Sequence, residues 1–182
     1  IYSLALQPNG KVLIAGGFTN YNGTARNRMA RVFGKPAPFI TTWKTDNLGS
    51  SASDQITIPT TGPGYNYDVY WEEVGNAGNN GNLSAQIGNV TITFPSAGIY
   101  RVEINGAFPR IYFNYTGDRK KIRSVEQWGD IVWTSMFGAF MGCSNITIPA
   151  QDAPDLSAVT DMGWMFYDAI SFNEDIGDWD VS

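Results

Sequence analysis

Acidic side chains are the first candidates for chemistry in this sequence. Glu174, Asp175, Asp178 and Asp180 crowd one short stretch, and hard cations such as calcium want several carboxylate oxygens. Their spacing does not match a calcium loop, so they read as solvated or turn-capping carboxylates, and no metal site is assigned. Two carboxylates flanking a sugar linkage can hydrolyse it. Glu72 and Glu73 are adjacent, however, and neighbours on a strand point to opposite faces, so they cannot straddle one bond. Glu103 belongs to another strand and faces away from the expected core. The chain has no histidine and a single cysteine, Cys143. That excludes Ser-His-Asp and Cys-His nucleophiles, and zinc sites rich in His or Cys. No catalytic, cofactor-binding or metal-ligating residue is assigned, and the expectation is a protein that is not an enzyme.

Binding chemistry has better candidates. Tyr70 and Tyr112 stand on the polar phase of their segments, next to Asp68 and Asn114. An exposed aromatic ring there suits stacking on a sugar, so both are candidate ligand-facing residues. The run Arg119-Lys120-Lys121-Ile122-Arg123 would suit an anionic glycan or a phosphate. Five residues are too few for a basic tail, so its first reading is a charged junction between two modules. The net charge is -5, which gives no counterion-release attraction to nucleic acid and disfavours anionic membrane surfaces. No apolar run approaches the length needed to cross a bilayer, so no direct membrane insertion is expected. With 43% hydrophobic and 14% aromatic residues, an ordered core is feasible.

The elements that position these groups fall into three stretches. In 1–33, Asn9-Gly10 separates the apolar runs Leu4-Ala5-Leu6 and Val12-Leu13-Ile14-Ala15, a hairpin signal because both turn residues must take positive φ. Gly16-Gly17 then ends the second strand or admits a close neighbour. In 38–117 the alternation of Tyr65, Tyr67, Val69 and Trp71, of Val90, Ile92 and Phe94, and of Tyr100, Val102 and Ile104 predicts strands of a small β-sandwich. Ile56-Thr57-Ile58 and the segment from Arg110 to Tyr115 are further candidate strands, Pro95-Ser96-Ala97-Gly98 a turn, and the tract from Gly75 to Asn82 a polar loop. In 121–182 an apolar set recurs: Met136, Phe140, Cys143 and Ile146 against Met162, Phe166, Ala169 and Phe172, an offset of 26 residues. These eight, with Met165 and Trp179, are the expected repeat core, and spacings of four and three suit a short helical or 3₁₀ turn. Cys143 aligns with Ala169 and reads as a small buried residue. Such a period is what a solenoid needs, each coil burying its apolar side against the next.

Two resemblances follow from these residues. The run from Ile1 to Val32, with Leu6-Gln7-Pro8-Asn9-Gly10-Lys11-Val12-Leu13-Ile14-Ala15-Gly16-Gly17-Phe18 and Arg28-Met29-Ala30-Arg31-Val32, resembles a delta-60 repeat, a propeller-like β-repeat of bacterial extracellular proteins. Ser124-Val125-Glu126-Gln127-Trp128-Gly129-Asp130, Val159-Thr160-Asp161-Met162, Met165-Phe166, Ser171-Phe172-Asn173 and Trp179-Asp180-Val181-Ser182 resemble BspA-family leucine-rich-repeat surface proteins. The β module opening on Phe39-Ile40-Thr41-Thr42-Trp43-Lys44 is similar to one that often precedes those repeats. It has Trp71-Glu72-Glu73-Val74-Gly75 where the family often has an acidic Trp-Gly-Asp-Gly turn.

The expected fold is therefore mainly β: the end of a delta-60 repeat, a small β-sandwich, then the first coils of a leucine-rich-type solenoid, in an excerpt from a longer polypeptide. The resemblance implies an extracellular protein, bacterial cell-surface or secreted, that adheres through repeat modules to a host or matrix protein or glycan. A viral tail fibre or virion appendage, homo-oligomeric and contacting the host, is the alternative. A polysaccharide-active enzyme ranks last.

Overall fold

A computed structural model describes every residue except 1, 7–11, 22–23, 26, 33–35 and 182. The chain is mainly β, in antiparallel sheets, and divides into two compact units, Ile1–Ala37 and Pro38–Ser182.

In the first unit, β1 (Ser3–Leu6) pairs with β2 (Val12–Ala15) in the register Ser3 to Ala15 and Leu6 to Val12. The turn expected at Asn9-Gly10 lies outside the described residues. The short strands β3 (Asn20–Tyr21) and β4 (Thr24–Ala25) form a hairpin, and β5 (Met29–Val32) adds to the free edge of β2. This third strand was not read from the sequence. Gly16-Gly17 follows the end of β2 as expected, and a Cβ on Gly17 would lie 3.1 Å from the Tyr2 hydroxyl. Ile14 and Ala30 are buried, whereas Tyr2, Leu4 and Met29 are exposed.

The second unit is built on a five-stranded sheet, ordered β12-β6-β11-β8-β9. Its members are β6 (Phe39–Lys44), β8 (Asn66–Glu73), β9 (Asn76–Gln86), β11 (Ile99–Ala107) and β12 (Ile122–Gln127). The short strands β7 (Gln55–Ile58) and β10 (Val90–Thr93) pair separately. Period-2 alternation works as expected: Tyr67, Val69 and Trp71, and Tyr100, Val102 and Ile104, are buried. Phe94 stacks on Tyr100 at 3.9 Å and meets Trp71 edge-on at 5.1 Å, joining the end of β10 to the large sheet in two layers.

Two expectations for this unit are corrected. The tract from Gly75 to Asn82 is not a loop. Gly75, at φ 86°, turns the chain, and β9 then pairs antiparallel with β8. Asn76 and Asn79 donate to the Glu73 carboxylate at 3.1 and 2.8 Å, and a Cβ on Gly81 would fall 2.6 Å from the Trp71 ring. Polar composition concealed an edge strand whose glycine makes room for a tryptophan. The segment from Arg110 to Tyr115 is not a strand either. Asn114 and Tyr115 take φ of 44° and 64°, and the Phe113 and Tyr115 amides donate instead to the carbonyls of Ala139 and Met141.

The sequence changes texture near residues 118–121, but the packing does not divide there. Strand β12 hydrogen-bonds to β6, and Trp43, Phe113, Trp128 and Phe140 share one continuous core. Beyond β12 the chain winds in two stacked turns. The Met136, Gly138, Phe140 and Gly142 amides donate to the carbonyls of Asp161, Gly163, Met165 and Tyr167, at 2.9, 2.9, 2.9 and 2.7 Å. In a parallel ladder such bonds set residue 138 beside 164 and residue 142 beside 168, which is the offset found in the sequence. Each turn carries i to i+3 bonds such as Ala139 to Met136 and Met165 to Met162, without becoming a helix. Gly138 and Gly142 interrupt the first turn with φ of 62° and 76°, and Trp164 and Asp168 interrupt the second at 58° and 57°.

Met136, Phe140, Cys143 and Ile146 are fully buried. Of their counterparts, Ala169 is buried, while Met162, Phe166 and Phe172 pack half-buried against the core, as does Trp179.

Burial also links this core to pH. It pushes the Tyr67 phenol well above its ordinary 10.0, and it raises Tyr65 as well. Above pH 10 the unfolded chain loses phenolic protons that the folded chain keeps, so stability falls as pH rises. Tyr67→Phe is expected to flatten that decline, read as urea midpoints at successive alkaline pH values. An unchanged slope would show that this phenol is not linked to folding.

Candidate functional site

The surface with the most unusual chemistry lies on one side of the two stacked turns. Trp164 and Tyr167 are 55% and 52% exposed and Tyr115 is 43% exposed. They form a row: the Trp164 and Tyr167 rings are 5.0 Å apart, and the Tyr167 and Tyr115 rings 6.3 Å apart. The Arg119 guanidinium continues it, 4.7 Å above the Tyr115 ring. Neighbouring turns place these groups, and Gly142 lets them meet. A Cβ there would fall 2.7 Å from the Tyr115 ring and 2.9 Å from Arg119 Nε.

The backbone under the row is held in an uncommon state. Asn114, Tyr115, Trp164 and Asp168 all have left-handed φ. Such a conformation costs an L-residue roughly 1–2 kcal/mol, and it is rare for a bulky aromatic. The first turn meets the same requirement with Gly138 and Gly142. At the position matching Gly138, the second turn carries a half-exposed tryptophan. Asp168 accepts a bond from the Tyr115 hydroxyl at 2.8 Å, and that bond, then the carboxylate charge, raises the phenol above its ordinary value. Tyr115 therefore stays neutral and its ring is fixed.

At the Arg119 end is a pocket of about 270 Å³ lined by Leu48, Gly49, Ser50, Gly117, Arg119 and Lys120. Its floor covers a buried charge pair. Asp118 accepts from the Ser50, Ser51 and Thr57 amides at 2.8, 3.0 and 2.6 Å. Lys121 Nζ lies 4.0 Å from that carboxylate and donates to the Ser51, Ala52 and Gln55 carbonyls. The basic run thus divides: Lys121 ties the junction together and Arg119 and Lys120 line the pocket.

The two tyrosines singled out from sequence sit in different settings. Tyr70 lies half-buried on the outer face of the large sheet, where its hydroxyl donates to Glu72 at 3.1 Å. Arg101 pairs there with Glu103 and lies 3.6 Å from Glu72. Tyr112 is half-buried under the Arg110 guanidinium, 4.2 Å from its ring. A Cβ on Gly138 would touch both Tyr112 and Asn114, so Tyr112 is close to the aromatic row. Sequence reasoning passed over Trp164, Tyr167 and Tyr115. Their signal was faint: Trp164 and Tyr167 flank the core positions Met165 and Phe166 on the outward phase of the repeat.

Two of the acidic side chains near the end of the chain accept from backbone amides. Glu174 accepts from the Ile148 amide at 2.9 Å, joining the two turns, and Asp175 accepts from the Gly177 amide at 2.8 Å. Among the described residues, no three His, Cys, Asp or Glu side chains are grouped to hold a metal ion.

Two family models match segments of the chain. Residues 113–182 match the family described as "Mycoplasma protein of unknown function, DUF285". Residues 7–33 match "Domain of unknown function (DUF5122) beta-propeller". No curated protein and no solved structure matches the chain. With the stacked turns, these likenesses define a mainly β protein that contains repeats. The aromatic row lies within the first matched segment, on residues 115–167.

Proposed function

We propose that this chain is a non-catalytic, extracellular surface module whose row of Trp164, Tyr167 and Tyr115 binds saccharide rings. The resemblance to BspA-family leucine-rich repeats and to a delta-60 repeat supports adhesion or display, and it suggests that the stacked turns are part of a solenoid. One observation carries the ligand assignment: Trp164 is exposed and left-handed where the preceding turn has Gly138. Strain and an exposed indole both lower stability, and such costs persist where function requires them. Aromatic rings give a stacking surface at little cost in side-chain entropy.

A packing tryptophan and a binding tryptophan respond oppositely to Trp164→Gly. For a binding residue, the variant is expected to match or exceed the parent in urea stability. Its affinity for a glycan found on an array of neutral and acidic polysaccharides should fall about thirtyfold, the loss typical of an aromatic anchor. A marked loss of stability with unchanged binding would assign Trp164 to packing instead. Failure of the folded protein to bind any arrayed glycan would refute the reading.

A further inference from the structure

The pocket beside the row carries a more specific assignment. We infer that it receives the acid group of an anionic saccharide, a carboxylate or a sulfate, whose sugar rings lie on Tyr115 and its aromatic neighbours. The inference rests on the aromatic row being a saccharide surface and adds the charge of the ligand.

Three observations support it. First, two cations line the pocket in a chain of net charge -5, and among the described residues neither Arg119 nor Lys120 forms an ion pair. Arg119 Nε is also buried with no hydrogen-bond partner. That nitrogen packs against Gly142, so contacts to a ligand fall to the remaining N–H groups of the guanidinium.

Second, the geometry suits an anion. The guanidinium lies over the Tyr115 ring, and stacking of this kind holds its plane while leaving its edge able to form paired bonds to a carboxylate or sulfate. The Lys120 backbone is fixed, because its carbonyl accepts from Asn47 Nδ2 at 3.0 Å and from Asn145 Nδ2 at 2.7 Å. Gly49, Ser50 and Gly117 also line the pocket and carry small side chains or none, which leaves room beside the two cations.

Third, nearby negative charge is already engaged. A Cβ on Gly49 would meet the Asp118 carboxylate at 2.4 Å, so Asp118 lies directly under the floor. That carboxylate is held by three backbone amides, with Lys121 4.0 Å away. Asp168 is hydrogen-bonded to the Tyr115 hydroxyl.

Dextran, carboxymethyl-dextran and dextran sulfate share one sugar backbone and differ in charge, so together they isolate the role of the acid group. Binding of the whole chain to each is measured by calorimetry at low salt. The expected result is at least about tenfold tighter binding to one or both charged polymers than to dextran, and the arm that gains identifies carboxylate or sulfate. The double variant Arg119→Gln, Lys120→Gln should abolish that advantage. Arg123→Gln, which removes a cation outside the pocket, should preserve it, separating a defined site from diffuse attraction. Equal affinity for neutral and charged polymers, still dependent on Trp164, would overturn the pocket assignment and leave the aromatic row standing. An advantage that survives the double variant would also overturn it. Binding to none of the three would overturn the acidic-saccharide assignment, and failure on the glycan array as well would remove the saccharide reading with it.

Discussion

Lys121→Met is expected to lower the free energy of unfolding by about 3–5 kcal/mol, the range seen when one partner of a buried charge pair is removed. The side chain is almost fully buried, and its ammonium donates to three backbone carbonyls and the Ser51 hydroxyl. Methionine fills a similar volume but leaves four acceptors without that donor. It also leaves Asp118 as a buried carboxylate without its cation. The segment from Gly49 to Thr57, which wraps both charges, would lose its anchor to the sheet. The effect is measured as a shift of the urea midpoint at unchanged slope. Part of it should disappear when Asp118 is Asn, because the charge pair then no longer exists, and the remainder measures the ammonium's contacts to carbonyls. A loss below about 1 kcal/mol, the ordinary value for an exposed pair, would show that water reaches this network.

Phe140→Ala and Phe166→Ala change matching positions of the repeat and should not cost the same. Phe140 is fully buried, within 6.5 Å of the Phe113 ring, 6.1 Å of Trp128 and 5.8 Å of Phe166. Its truncation should cost about 3–5 kcal/mol, combining lost transfer energy with a cavity that surrounding rings cannot close. Phe166 is half-buried, and solvent or local relaxation can fill the space it leaves, so its loss should be clearly smaller. Equal costs, measured by the same denaturation, would mean that the second turn is covered as fully as the first.

Much of the architecture was legible in local pattern. The strands around Tyr67, Ile92 and Val102 follow from strict alternation, because a sheet face buries every second side chain. The repeat offset was legible because the same apolar positions must face the same core in successive turns. The edge strand β9 was hidden because Asn and Gly compose loops more often than strands. Its reason for being a strand is the Trp71 ring against Gly81, a contact between two segments. The segment around Tyr112 misled for the opposite reason: its alternation suits a strand, but left-handed residues at Asn114 and Tyr115 redirect its hydrogen bonds.

The candidate site divides along the same line. Absence of histidine and a lone cysteine are facts of composition, and they rule out whole classes of nucleophile and zinc chemistry without any coordinates. The basic run was visible too. Which of its cations is structural and which lines a pocket was decided by folding, since burial of Lys121 against the Ser51, Ala52 and Gln55 carbonyls is a long-range event. The aromatic row is the clearest case. Tyr115 and Tyr167 are far apart in the chain, and only the stacking of turns across Gly142 sets their rings side by side. By itself the sequence determined the strictly alternating strands, the repeat period and the excluded chemistry, because these depend on residue type and near-neighbour spacing. Tertiary structure decided which side chains share a surface, because that depends on how distant segments pack.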